Sequence, residues 1–173
     1  MAVKDKTKRL ATSALLAALG VVVLYIGSVI QVMDISMAVI ASVFCVFAVI
    51  EYGGSYPWLI YAVTGVLSLV LSDYKEAAAM YILFFGFYPI IKEKLEKKKK
   101  FVSWILKEVI FNVALAVMLA ASKLLLTAGA SEPWYFYVAF VALAEVAFPL
   151  YDVALTRMIS LYIFKLRSKF KIK

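Results

Sequence analysis

The sequence predicts an all-α, polytopic membrane protein: about six transmembrane helices in a compact bundle forming a single integral membrane domain over residues 1–173. Three observations carry that expectation. Hydrophobic residues make up 65% of the chain and charged residues 17%, whereas soluble domains run near half apolar and about a quarter charged. The apolar residues form continuous runs rather than the short alternating segments of a membrane barrel. The basic residues gather toward the ends of those runs rather than in a soluble domain.

A helix needs roughly 17–25 mostly apolar residues to cross a hydrocarbon core of about 30 Å. The first run, about 10–31, follows a tail carrying Lys4, Lys6, Lys8 and Arg9. Its length and the absence of a convincing cleavage region favour an uncleaved first helix over a signal peptide. The second run, 35–52, ends at Glu51 before Gly53 and Gly54, where glycine tolerates left-handed turn geometry. The third, 56–72, opens around Pro57, and the fourth, 77–91, ends in a lysine-rich loop. The fifth covers 104–127. The sixth, 134–164, is longer than a span requires, so its last turns are expected to continue into the interface. The turns at 31–34, 72–76 and 128–133 are short, which makes neighbouring helices antiparallel.

Charge sets the orientation, because lysine and arginine concentrate in cytoplasmic segments. With the N-terminus in the cytoplasm, all but two of the 19 basic residues fall on the cytoplasmic side, the exceptions being Lys75 and Lys123. An even number of spans places both termini there, in a bacterial or archaeal cytoplasmic membrane. The run from Lys97 to Lys100 is expected to anchor a cytoplasmic loop to anionic headgroups, with a regulatory or partner-binding role as the alternative.

Composition also excludes function classes. The chain has no histidine and one cysteine, Cys45, which removes His-dependent nucleophile systems, His-ligated zinc and haem, and any intrachain disulfide. Cys45 lies in an apolar run and reads as a small buried hydrophobe. A net charge of +8 could suggest nucleic acid, but its distribution follows topology rather than a soluble basic patch, so no nucleic-acid partner is expected. No G-x-x-x-x-G-K-[ST] run occurs, so any ATP hydrolysis belongs to other subunits. No cofactor, metal or catalytic residue is expected, and the chain does not read as an enzyme. Glu145 and Asp152 lie about 10 Å apart along a helix at 1.5 Å per residue, too far for a paired-acid site.

An ionisable or polar group inside a membrane is costly and points to function unless it finds a partner or reaches the interface. Glu145 is the clearest case, near mid-depth in the last run. It either contacts a bound solute or is protonated, or paired with Lys123 or the backbone. Pro149 removes a helix hydrogen bond between it and Asp152, and Asp152 is expected to pair with Arg157 or another cation. In the fifth run Asn112 either meets a solute or bridges helices. Lys123 either turns toward a solute or snorkels outward. Trp134 and Tyr135 form either an interfacial belt or a stacking wall for a planar ligand. Ala14 and Ala18 share one face of the first helix, and small residues four apart let helix backbones approach closely.

The basic tail running into Ala14-x-x-x-Ala18, the six spans, the short length and the polar groups in the last helices together resemble the substrate-binding S component of energy-coupling factor transporters. The resemblance implies that Ala14 and Ala18 dock onto a transmembrane coupling subunit. It also implies ATPase subunits as further partners, and capture of a small vitamin-like nutrient near the outer face. Glu145, Asn112, Lys123, Trp134 and Tyr135 are then the candidate substrate contacts. The alternative is a scaffolding membrane protein without a substrate, similar to the rod-shape-determining membrane proteins.

Overall fold

The computed structural model describes residues 2–30, 32–126 and 133–166. The turn expected at 128–133, apart from Pro133, and the basic residues from Arg167 onward lie outside the described residues, as do the side chains of Lys4, Ser122 and Lys123. Every regular element among the described residues is helical. In order these are α1 (Ala2–Ile30), α2 (Asp34–Glu51), α3 (Tyr56–Leu71), α4 (Glu76–Met80), a π-helical turn (Tyr81–Phe85), α5 (Tyr88–Leu95), α6 (Lys100–Leu126), α7 (Trp134–Leu161) and a second π-helical turn (Tyr162–Leu166). Four helices, α1, α2, α6 and α7, are long and apolar enough to cross a membrane, and α3 is a shorter apolar helix of 16 residues.

The fourth expected span, 77–91, is not one continuous helix. It breaks into α4, the first π turn and α5. Pro89 explains the second break, since it has no N–H to donate and is tolerated only in the first turn of a helix, which is where it stands in α5. Ahead of it the backbone widens, and the Gly86 N–H donates to the Tyr81 carbonyl five residues back at 2.7 Å. Other ends close as their sequences suggest. The N–H groups of Tyr52 and Gly53 both donate to the Ala48 carbonyl at 3.0 Å, and Gly53 and Gly54 take φ values of 60° and 59°, the left-handed geometry in which glycine ends helices. At the end of α3 the Lys75 ammonium donates to the carbonyls of Leu69 (2.8 Å) and Ser72 (3.0 Å), placing a cation at a helix C-terminus where the dipole favours it.

The chain forms two compact units, Met1–Leu119 and Ala120–Lys173. In the first, α1 packs along α2 and α3, and α4 and the π turn fill in against α2. The interior is built from small residues: Ala17, Ala38, Ala41, Cys45, Ala48 and Ala77 are essentially inaccessible and surround Leu24, Ile60 and Tyr81. On α1 the inward face runs Ser13, Ala17, Gly20, Leu24, Ser28, the three-to-four spacing of a helix. Backbones come close enough that a Cβ on Gly20 would sit 2.9 Å from the Thr64 methyl. Many large apolar residues point the other way, with Leu15, Val22 and Val29 exposed on α1 and Val66 and Val70 on α3. Exposed apolar surface of this extent is compatible with a membrane protein. In the second unit α7 continues unbroken through Pro149 and also exposes large apolar residues, among them Leu143, Val146 and Leu150.

Candidate functional site

The interior of the first unit holds a group of polar side chains around the first π turn. Tyr81, fully buried at the start of that turn, places its hydroxyl 3.1 Å from the Cys45 thiol of α2. From α3, Tyr61 donates to the Ile82 carbonyl inside the turn at 2.9 Å, and one helical turn further on Thr64 donates to the Ala17 carbonyl of α1 at 3.2 Å. The rings of Tyr61 and Tyr81 lie 6.0 Å apart. A π turn frees carbonyls from the regular ladder, and in an apolar interior each freed group needs a partner. Tyr61 supplies one such partner, to the Ile82 carbonyl, while the Cys45–Tyr81 contact and the Thr64 bond to α1 tie the turn's Tyr81 and the neighbouring α3 to the surrounding helices.

A second polar group sits where α1 passes into α2 and α3 into α4. Asp34 opens α2, Glu76 opens α4, and their carboxyl groups are neighbours. Asp34 is only 8% exposed. Neither its Oδ1 nor the buried hydroxyls of Ser68, in the last turn of α3, and Ser72, just beyond it, make a protein hydrogen bond. A buried polar atom left without a partner costs about 1–3 kcal/mol. This end of the unit thus gathers two carboxyl groups and two hydroxyls, with the Lys75 ammonium beside them on the Ser72 carbonyl.

At the opposite end of the unit, Glu96 joins α5 to α6. Its Oε1 lies 2.8 Å from the Lys92 ammonium and 3.2 Å from that of Lys107, and both lysine side chains are almost wholly buried. Between these levels, Leu83, Phe87 and Ile91 face Val109, Val113 and Val117 across an open groove of about 310 Å³ with an almost entirely apolar lining. It offers nothing that would orient a polar solute. Among the described residues no three His, Cys, Asp or Glu side chains gather as metal ligands would.

The residues singled out by sequence are dispersed. Ala14 and Ala18 lie on an exposed face of α1, one step around from buried Ser13 and Ala17. Asn112 is exposed in the first unit, and its amide donates to the Glu108 carbonyl one turn back at 3.1 Å. In the second unit Trp134 and Tyr135 are exposed and meet edge to face, their centroids 6.5 Å apart. Glu145 is half-buried and ten residues beyond Tyr135, about 15 Å along the helix axis. A ligand touching both would have to be elongated. Sequence reasoning passed over Tyr61, Thr64 and Tyr81 as well as Asp34 and Glu76. Each is a lone polar residue in or beside an apolar run, and its partner lies on another helix. No protein-family description, curated protein or solved structure matches the chain.

Proposed function

We propose that the chain crosses the cytoplasmic membrane with both termini inside, and serves as the substrate-capture subunit of an energy-coupling factor type importer for a small vitamin-like nutrient. The observation that carries this reading is the division of α1 into two small-residue faces. Ser13, Ala17 and Gly20 are spent on the protein's own core, while Ala14 and Ala18 remain exposed. A close helix-helix contact in a membrane requires such a face, and the partner is a transmembrane coupling subunit with ATPase subunits attached. Further support comes from the polar ends. In this orientation the Lys92–Glu96–Lys107 cluster lies on the cytoplasmic side, and Asp34, Ser72 and Glu76 lie on the outer side, where a solute arrives. Glu145, Trp134 and Tyr135 on α7, with Asn112 and Lys123 on α6, remain the proposed contacts from the last two long helices.

Co-purification with the products of the neighbouring operon genes tests the docking face. Ala14→Trp with Ala18→Trp places two bulky rings on it, and recovery of the coupling and ATPase subunits is expected to fall at least about tenfold, because close backbone approach becomes impossible. Val66→Trp, at an exposed position on α3, is expected to leave recovery unchanged. Equal recovery with both variants, or equal loss with both, would contradict the docking assignment.

A further inference from the structure

The end of α7 carries a feature that the capture reading does not use. Thr156, Arg157, Ser160, Leu161, Phe164 and Lys165 line an open concavity of about 430 Å³ within the second unit. Eight residues of regular α-helix turn about 80° beyond two full revolutions at 3.6 residues per turn, which would leave Lys165 well off the face of Arg157. The second π turn, Tyr162–Leu166, takes more residues per revolution and draws Lys165 back toward Arg157, so both cations border one groove. Between them Leu161 and Phe164 are 60% and 82% exposed. The hydroxyl protons are already committed: Thr156 donates to the Asp152 carbonyl and Ser160 to that of Thr156, both at 2.9 Å. Arg157 and Lys165 bring two positive charges to the groove and flank an exposed apolar floor.

We infer that this groove seats an anionic phospholipid, with Arg157 and Lys165 on the headgroup phosphate and Leu161 and Phe164 against the upper acyl chains. Charge complementarity and the exposed apolar floor select this occupant. A soluble anion would gain nothing from Phe164, and a zwitterionic lipid would bring no net charge to the two cations. The inference rests on the membrane orientation proposed above, which puts this end of α7 at the level of the cytoplasmic headgroups.

Native mass spectrometry of the full chain, released from vesicles of equal phosphatidylglycerol and phosphatidylcholine, tests it. The wild-type chain is expected to retain phosphatidylglycerol at least about tenfold over phosphatidylcholine. Arg157→Gln with Lys165→Gln is expected to abolish the preference. Lys6→Gln with Lys8→Gln, which removes the same charge from exposed positions on α1, is expected to preserve it, as is the conservative Arg157→Lys. No preference in the wild type, equal loss in both double variants, or persistence in both overturns the site. Helical content by circular dichroism and a monodisperse gel-filtration profile in detergent report in parallel that each variant is folded. Resistance to alkaline carbonate extraction separates the two levels of the argument. A chain that stays in the membrane without the lipid preference loses only this inference, and one that washes off loses the membrane reading itself.

Discussion

Glu96→Ala is expected to destabilise the protein by about 2–3 kcal/mol. Removing one partner of a fully buried ion pair costs ~3–5 kcal/mol, because the remaining charge stays desolvated. Glu96 is itself 42% exposed, so water softens the loss. Two ammonium groups share its Oε1, at 2.8 and 3.2 Å, and the side chains that carry them are 1% and 7% exposed. The carboxylate therefore balances two positive charges at once. Lys92→Met should behave differently. It replaces a buried cation with an apolar chain of similar volume and leaves Glu96 paired to Lys107, so the cost is expected to stay under about 1 kcal/mol. The single cysteine provides the readout: Cys45 is fully buried and reacts with a thiol-specific fluorophore only as the first unit opens. A thermal ramp should give a midpoint for Glu96→Ala well below that of Lys92→Met. The reverse order would mean that the cluster is held by Lys92 packing rather than by charge balance.

Gly86→Ala is expected to cost about 1–3 kcal/mol, although alanine is the better helix former. The backbone at Gly86 is ordinary helix, with φ −75° and ψ −42°, so propensity alone favours the change by up to ~1 kcal/mol. Space decides the outcome. A Cβ there would lie 2.7 Å from Cδ2 of Tyr61 and 2.8 Å from two ring carbons of Tyr81, and such overpacking costs ~1–3 kcal/mol. Neither ring can yield easily: Tyr81 is held at the Cys45 thiol and Tyr61 at the Ile82 carbonyl. Moving either ring disturbs the support of the π turn, so the Cys45 assay should report earlier opening. An unchanged or higher midpoint would show that the rings are free to move and that the network does not brace the broken segment.

How much of this was legible in the sequence differs between elements for physical reasons. The bounds of α2 and α3 follow from apolar runs closed by Asp34, Glu51 and the glycine pair, because a water-avoiding helix must end where its polar residues begin. The break in the fourth span was marked by Gly86 and Pro89, but hydropathy averages over both and shows one run. On α1, two sets of small residues, Ser13 with Ala17 and Ala14 with Ala18, have the same spacing, so nothing local determines which turns inward. The structure assigns the first to the core, where Ala17 meets Thr64. Lys92 counted in the sequence as one more positive charge in a cytoplasmic loop. Its spacing of four from Glu96 was a visible signal of a helical ion pair, but its burial depends on how α5 packs in the fold, chiefly against α2, and could not be read locally. The same holds for Asp34 and Glu76, which are distant in sequence and neighbours only because α1 to α4 fold together. The site residues named from sequence were chosen for polarity within single helices, and single-helix reasoning cannot bring separate helices to a common point.

The proposed role of this chain is that of the capture subunit of a larger importer. Affinity purification of the wild-type chain from its own host membranes, in mild detergent, tests it most directly. One further integral membrane subunit and nucleotide-hydrolysing subunits are expected to be recovered with it, together with ATPase activity. A chain recovered folded, with Cys45 still protected, yet alone and without ATPase activity would contradict it.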